Sequence, residues 1–267
     1  MSFVVQDHCR NCNAPLTQGQ AFCAHCGQKA VINRLTVREI VRDFLHELVH
    51  VDRSALSLVR MLLVRPGYVA REYVDGRRKR YFGPFAFLVV IVGIAAAAIA
   101  LSGLVMTGSK TMPIGGSPTP TDAARNAAAF SAVANFLQRH VNATILLETP
   151  LLAAFNRLLF RKDGTNFAEQ LVLASYTCGM RSLSTTVIVI PCVFICRLTG
   201  TDPAYIYITA VLVWFAYFGL AAHQFCPDHG LTAGIKGALA AALTWCASQI
   251  VFSVITMGFV MYFLLRG

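Results

Sequence analysis

The feature that most constrains this chain is a set of long segments without a charged residue. Residues 85–106 and 237–265 carry no Asp, Glu, Lys or Arg. A transmembrane helix needs about 20 predominantly apolar residues, so each segment is long enough to cross a bilayer. Only 13% of the 267 residues are charged, whereas a soluble domain averages about 25%. The sequence therefore predicts an integral membrane protein with at most one small soluble domain.

The apolar pattern predicts an all-α fold with about five transmembrane helices in residues 84–267. Residues 167–180 are also apolar, but they contain Glu169 and are too short to cross alone. A re-entrant or interfacial segment is expected there, and an external loop is expected over residues 107–142. The predicted spans are residues 85–106, 143–160, 183–201, 204–222 and 237–265.

The basic residues predict how the chain is oriented in the membrane. Residues 1–84 carry 13 of the 23 Lys and Arg residues, and they contain no apolar core of a signal peptide. Because basic segments stay on the cytoplasmic side, we expect a cytosolic N-terminus. Five spans then place the C-terminus outside. If residues 167–180 also crossed the bilayer, the C-terminus would be cytosolic.

Four cysteines near the N-terminus have the spacing of a metal site. Cys9 and Cys12 are separated by two residues, as are Cys23 and Cys26, and ten residues lie between the two pairs. Four thiolates satisfy tetrahedral Zn²⁺ and leave no open position, which is typical of a structural site. The reducing cytosol also favours metal binding over disulfides. We therefore predict a cytosolic zinc ribbon over residues 1–30; a redox pair, unpaired thiols or iron are the alternatives.

Residues 31–83 are basic and have helical periodicity. Thr36 and Glu39 have the spacing of a capping box at the start of a helix. A second apolar run, residues 55–64, is too short to span a bilayer and ends at Pro66. We predict a basic, amphipathic and interfacial helical segment, in which the run at residues 55–64 is either an interfacial or a buried helix.

A basic cluster precedes the first predicted span. It consists of Arg77, Arg78, Lys79 and Arg80, and aromatic residues follow it. Such a cluster marks a cytoplasmic membrane boundary. Two interpretations stay open: the four charges only orient the first span, or they also bind anionic lipid head groups.

The predicted amphipathic helix contains a match to a zinc-peptidase motif. His46, Glu47 and His50 have the HExxH spacing, which places two imidazoles on one helical face beside a glutamate that acts as general base. At 100° per residue, however, both histidines lie opposite the apolar stripe. No third ligand has a recognisable spacing. A solvated helix face is the favoured interpretation, and a metallopeptidase is the alternative.

A second candidate metal set occurs between the fourth and fifth predicted spans. His223, Cys226 and His229 have a spacing that can ligate a metal. Pro227 and Gly230 describe an ordinary turn equally well.

Two acids and one base stand in or beside the apolar region. They are Glu148, Glu169 and Arg181. Charge at membrane depth is costly, so it is by default a functional hypothesis. A buried pair that joins two helices and a path for a proton or an ion are the two interpretations.

One set of residues, spread over the cysteine pairs, the basic segment and the start of the run at residue 167, forms a recognisable pattern. Its members are Cys9, Cys12, Phe22-Cys23, Cys26-Gly27-Gln28, Leu35-Thr36, Asp52, Arg65-Pro66-Gly67, Arg71-Glu72-Tyr73, Gly76, Arg78, Tyr81, Pro84, Asn166-Phe167-Ala168-Glu169 and Leu171-Val172. In these residues the chain resembles an uncharacterised bacterial family of membrane proteins with an N-terminal zinc ribbon; one departure is Ser57, where a Thr is usual. The resemblance implies the architecture and a bacterial inner membrane, and it supplies no reaction.

These features lead to a functional expectation without catalysis. The ribbon and the basic helices are expected to bind a protein partner at the cytosolic face or membrane lipids, as an adaptor, a regulator or a subunit of a complex. Nucleic acid is not an expected partner, because the ribbon has few basic residues and no aromatic platform beyond Phe22. The alternative is a transporter, or a transporter subunit, that uses Glu148 or Glu169.

Overall fold

The structure is a computed structural model, and it describes residues 7–17, 19–30, 34–41, 54–102 and 144–266. Regular structure in these residues is helical. The β features within them are two isolated bridges, His8 with Pro15 and Phe22 with Lys29. The predicted all-α class is therefore confirmed for the part of the chain that is described.

We label the longer helices of the described residues in chain order. Residues 37–41 are also helical and precede them. The helices are α1 (Ser54–Val64), α2 (Pro66–Val74), α3 (Pro84–Ser102), α4 (residues 144–159), α5 (Phe167–Ser184), α6 (Ile190–Thr199), α7 (Ala204–Phe225) and α8 (Gly230–Arg266).

Two local predictions for the basic segment are confirmed. The Glu39 amide donates to Thr36 Oγ1 at 3.4 Å, and the Thr36 amide donates to Glu39 Oε2 at 3.2 Å, which is the predicted capping box. The second apolar run forms α1, and the chain breaks at Arg65 before α2 begins with Pro66. Proline suits the first position of a helix, where its missing N–H is not needed.

The largest departure from the sequence prediction concerns residues 167–199. The sequence predicts a separate re-entrant or interfacial segment over residues 167–180, with a membrane crossing as the alternative. In the structure these residues are not separate, because α5 continues through a π-helical turn, Thr185–Val189, into α6. Pro191 has no N–H for an ordinary helical hydrogen bond. The wider turn, in which the Ile190 amide donates to the Thr185 carbonyl, carries the helix past this proline.

Three helical segments of the described residues are long and apolar enough to cross a membrane. They are Phe167–Cys196, Ala204–Phe225 and Gly230–Gly258. The chain therefore has the character of a membrane protein, with three candidate spans where the sequence predicted five. The predicted spans 204–222 and 237–265 lie in α7 and α8, and the predicted span 183–201 is the second part of the helix that begins at Phe167.

The remaining two predicted spans coincide with shorter helices. In the described residues, α3 extends over Pro84–Ser102 up to the edge of the described region, with Pro84–Ala98 as a shorter apolar helix, and α4 covers residues 144–159. The expected external loop, residues 107–142, lies outside the described residues.

The core of the molecule lies at one end of the helices, beside the N-terminal cysteines. Every residue from Ala168 to Met180 is buried, so this part of α5 is surrounded by other elements on all sides. We call residues 167–182, 214–225 and 230–244 the module-side half. We call residues 190–199, 204–213 and 245–258 the far half.

The short helix α2 is held tightly against the module-side end of α7. A Cβ atom at Gly67 would lie 1.9 Å from the Ala221 carbonyl oxygen, which no side chain can tolerate. The Arg71 guanidinium donates to the Phe225 carbonyl oxygen at 2.7 Å. The close approach therefore depends on a glycine at the start of α2, and it places α2 beside the end of a membrane helix.

Candidate metal centre

The four N-terminal cysteines converge on one point. Their sulfur atoms all lie within 4.8 Å of one another. The Sγ atoms of Cys9 and Cys26 are 3.6 Å apart, and those of Cys12 and Cys23 are also 3.6 Å apart. Zinc–sulfur bonds of about 2.3 Å in a tetrahedron place sulfur atoms about 3.8 Å from each other. The four sulfurs can therefore hold a single metal ion with little rearrangement.

The two cysteine pairs sit on the same type of turn. The Asn13 amide donates to the Cys9 carbonyl and the Gly27 amide donates to the Cys23 carbonyl, both at 2.8 Å. The residue after each pair is left-handed, with φ of 59° at Asn13 and 69° at Gly27. Glycine adopts this conformation without strain, and asparagine is among the residues that tolerate it best. The repeated turn directs all four thiols inward.

At Cys23 and Cys26 the local electrostatics favour the thiolate, which is the form that binds a metal. Burial raises the pKa of Cys26, but hydrogen bonds, foremost from the Gln28 backbone, lower it to about 7. The Cys26 backbone amide is the main cause that lowers the pKa of Cys23. At Cys12 the Ala14 backbone lowers the pKa, yet burial and the neighbouring sulfurs together raise it to about 12. A cation at the centre would offset the repulsion between adjacent thiolates, so that all four could be deprotonated.

The donor set indicates what such an ion would do. Four cysteine sulfurs would complete a tetrahedral shell and leave no position for water or substrate, which is the donor set of a structural metal site. Within the described residues, these cysteines are the one group of three or more His, Cys, Asp or Glu side chains close enough to share an ion.

Gln28 joins the cysteine module, residues 7–30, to the helices. Its side chain is buried, and its amide donates to the Gly76 carbonyl oxygen at 2.7 Å. Its Oε1 atom accepts hydrogen bonds from the backbone amides of Arg78 at 3.1 Å and Lys79 at 3.2 Å. A buried amide with its oxygen and nitrogen both engaged fixes the position of both partners. The module is therefore attached to the loop between α2 and α3.

Glu72 also holds this loop, and the sequence pattern alone did not indicate a role for it. Tyr68 donates to its Oε1 atom at 2.9 Å, Tyr81 and Arg77 also donate to its carboxylate, and Arg80 Nη1 lies 3.8 Å away. Burial raises the pKa of Glu72, but the tyrosine hydrogen bonds and the two arginines lower it by more, so it lies below its usual range. The available signal was an acid that lies within ten residues of Tyr68, Tyr81 and a run of basic residues.

The predicted lipid-binding cluster takes part in this junction. Arg77 and Arg80 pair with Glu72, and the backbone amides of Arg78 and Lys79 bind Gln28. The side chains of Arg77 and Arg80 still expose 46% and 55% of their surface. Their binding of lipid head groups stays a prediction.

Glu169 joins the linker after the module to the start of α5. Arg34 contacts both carboxylate oxygens of Glu169, at 2.8 and 3.2 Å. Glu169 also forms a capping box with Asn166, whose side chain donates to the Leu35 carbonyl oxygen at 2.9 Å. This acid is satisfied by these partners, which explains why α5 begins here without interruption.

Glu148 and Arg181 form an ion pair between α4 and α5. The Arg181 guanidinium donates to both Glu148 oxygens, at 2.9 Å for one of them, and the two side chains expose only 9% and 18% of their surface. The guanidinium carbon also lies 4.7 Å from the centre of the Trp214 ring on α7. One arginine therefore connects three helices. The geometry favours the predicted buried pair at this position.

The second candidate metal set is not assembled in the described residues. His223 Nδ1 lies 2.8 Å from the Gly230 carbonyl oxygen, and Cys226 is buried, where burial raises its pKa to about 11. Nothing is described of the His229 side chain, and His46 and His50 lie outside the described residues. Cys226 lines a cavity of about 280 Å³ with four carboxylates, and these do not form a cluster that could hold a metal ion.

Comparison with known proteins yields one partial match. A family model described as a protein of unknown function, DUF3667, matches residues 58–95. This stretch contains most of α1, the whole of α2, the loop held by Gln28 and Glu72, and the first part of α3. No curated protein and no solved structure matches the chain.

Proposed function

We propose that the four cysteines hold one structural Zn²⁺ ion and make the cysteine module a zinc ribbon on the cytosolic side of a bacterial inner membrane. The support is the all-sulfur donor set and the sulfur spacing close to that of a zinc tetrahedron. So short a segment cannot bury enough apolar surface to fold alone, so metal binding and folding are one event. The basic excess of the N-terminal part supports the cytosolic orientation.

We infer that the protein is a non-catalytic adaptor or a subunit of a complex. The observation that carries this inference is the buried Gln28 side chain, which attaches the module to the loop that leads into α3. A flexibly tethered module could bind a partner without affecting the helices. A module fixed through Gln28, and through the adjoining pair of Arg34 and Glu169, passes the force of a bound partner to α3 and α5.

The module also has a surface on which a protein partner could bind. Phe22 exposes 56% of its surface between two cysteine ligands in the chain, and it contributes nothing to the sulfur cluster. Exposed aromatic residues are enriched in protein interfaces and depleted elsewhere on protein surfaces. We propose that Phe22 contacts the partner.

The first experiment measures zinc per chain in the purified full-length protein and in Cys23→Ser. One equivalent in the parent and none in the variant is expected, together with rapid amide exchange confined to the module. Retention of a full equivalent after Cys23→Ser would overturn the zinc proposal.

The second experiment tests the adaptor role with a matched pair of surface variants. Partners are captured by crosslinking in membranes from the parent, from Phe22→Ala, and from Leu147→Ala, whose residue is 74% exposed on α4. Phe22→Ala should keep its zinc and lose the crosslinked partner several-fold, while Leu147→Ala should keep both. If partner recovery is unchanged in Phe22→Ala and in the zinc-free Cys23→Ser, the adaptor role is wrong.

The transporter alternative has less support from the geometry. Each acid proposed for the path is already paired, Glu148 with Arg181 and Glu169 with Arg34. Flux of a substrate that stops in Glu148→Gln, with the folded state intact, would restore this alternative. The metallopeptidase alternative concerns residues outside those described and remains a prediction.

A further inference from the structure

The depth of α7 in the membrane determines the surroundings of α1 and α2. The candidate span Ala204–Phe225 has 22 residues, which at 1.5 Å per residue is about 33 Å. The hydrocarbon core of a bilayer is about 30 Å thick. The span has almost no length to spare, so its last two turns lie within the leaflet on the side of the cysteine module.

Both short helices contact α7 at that depth. The Tyr217 hydroxyl donates to the Leu62 carbonyl oxygen at 2.9 Å. The Gln224 side chain donates to the Val64 carbonyl oxygen at 3.3 Å and accepts from the Gly67 amide at 3.1 Å. The end of α1 and the start of α2 are therefore held beside the last two turns of a membrane helix.

At this junction α1 and α2 turn apolar side chains outward. Leu63, Val64 and Tyr68 expose 60%, 66% and 44% of their surface. Leu220, on the part of α7 that the junction contacts, is 43% exposed as well. Exposed apolar side chains therefore occur on the short helices and on α7 at this junction.

Two basic residues accompany these apolar residues. Arg60 lies one turn before Leu63 and Val64 on the same face of α1, and Arg65 occupies the break between the helices; both are exposed. Long arginine side chains extend from apolar surroundings to the phosphate layer. Apolar residues flanked by arginines are the pattern of a segment that lies in the membrane interface.

We propose that a surface made of Arg60, Leu63, Val64, Arg65 and Tyr68, here called the leaflet surface, is a binding site for anionic phospholipid in the module-side leaflet. Leu63, Val64 and the ring of Tyr68 contact acyl chains, while the Tyr68 hydroxyl keeps its hydrogen bond to Glu72. The two guanidinium groups bind the head-group phosphate. This site is separate from the predicted cluster at residues 77–80, where Arg77 and Arg80 pair with Glu72. It does not depend on the adaptor proposal.

The contact with acyl chains is tested by photo-crosslinking in the full-length protein. The photoreactive residue p-benzoylphenylalanine replaces Leu63 in one sample and Phe22, an exposed aromatic of the cysteine module, in the control. Both proteins are placed in nanodiscs of phosphatidylcholine and phosphatidylglycerol and irradiated. A phospholipid adduct is expected at position 63 and not at position 22. Absence of a lipid adduct at position 63, or equal adducts at both positions, would overturn the proposal.

The preference for anionic lipid is tested with two double variants that lose the same charge. Arg60→Gln with Arg65→Gln removes the leaflet surface's cations, and Lys29→Gln with Arg38→Gln removes two exposed cations elsewhere. Retention of phosphatidylglycerol against phosphatidylcholine is measured by native mass spectrometry. The first variant should retain the anionic lipid about thirty-fold less well, as expected when two charges near an anionic surface are lost. An equal loss in both variants, or no loss in either, contradicts the proposal. Zinc content and thermal stability show that both variants are folded.

Discussion

The two halves of the helical domain differ in what surrounds them. In the module-side half, thirteen consecutive residues of α5 are buried, from Ala168 to Met180. In the far half, no residue of α7 from 204 to 213 is buried, and none of the described side chains of α8 from 245 to 258 is buried. Both halves are apolar, so hydrophobicity alone does not distinguish them. The module-side half packs against other parts of the chain, whereas the far half exposes apolar side chains, as expected of a surface that faces lipid.

Buried polar contacts occur at the positions where the helices pack against one another and against the loop between α2 and α3. Arg181 and Glu169 of the module-side half pair with Glu148 and Arg34, and Glu72 and Gln28 fix the loop between α2 and α3. Lipid is as apolar as leucine, so apolar contact does little to select one helix arrangement over another within a membrane. Buried polar groups supply that selection, because a wrong arrangement leaves them without partners.

The largest effect of a single substitution is expected at the ion pair between α4 and α5. Arg181→Leu leaves the Glu148 carboxylate buried without its cation and should lower the free energy of unfolding by about 3 to 5 kcal/mol. Unfolding in mixed micelles with a denaturing detergent measures this change. In the double variant Glu148→Leu with Arg181→Leu no charge is left buried, so most of the stability should return. A double variant as unstable as the single one would show that the pair does not act as a unit.

A smaller effect is expected where α2 meets α7. Gly67→Ala forces a methyl group against the Ala221 carbonyl oxygen and should cost about 1 to 3 kcal/mol through overpacking. The same unfolding assay measures the cost. Gly93→Ala is the matched control, since a Cβ atom at that position meets nothing within 4 Å. Equal costs at both glycines would mean that α2 is not held closely against α7.

The junction at Glu72 should make stability depend on pH. The pKa of Glu72 in the folded protein lies below its usual range, so the unfolded chain binds the proton more readily. The stabilisation is therefore complete above about pH 5 and is lost as the pH falls through the folded pKa. Glu72→Gln should cost about 1 to 2 kcal/mol at pH 7.

The same reasoning predicts how the stabilities of the parent and of Glu72→Gln compare at acidic pH. The stability of the parent should approach that of Glu72→Gln as the pH falls towards 3, as measured by the free energy of unfolding across this range. A difference between them that stays constant with pH would show that the Glu72 charge contributes nothing.

The smallest effect is expected in the far half. Val254 is 67% exposed on α8, so Val254→Ala exchanges one lipid contact for another and should change stability by less than about 0.5 kcal/mol. Leu173→Ala, at a fully buried position of α5, should cost several-fold more because it leaves a cavity. A large cost at Val254 would indicate that another protein surface covers the far half.

Much of the local structure could be predicted from the sequence. The capping box at Thr36, the break before Pro66 and the cysteine spacing are short-range signals, and each has its cause within a few residues. Residues 167–180 differ, because their shortness and Glu169 predict a separate segment, whereas the structure continues the helix past them and pairs Glu169. Its partner Arg34 lies 135 positions away in the chain, and no periodicity reports such a pair.

What the sequence determined by itself is the membrane character, the helical class and the cysteine set, because composition, hydrophobic periodicity and ligand spacing are properties of neighbouring residues. The tertiary structure decided that Glu148, Glu169 and Glu72 each meet an arginine, that Gln28 attaches the module, and that α1 and α2 lie beside the end of α7. These contacts join residues that are distant in sequence, or depend on which of several nearby cations the fold brings close. A polar group in an apolar setting takes whichever partner the packing presents, and only the folded chain specifies that partner.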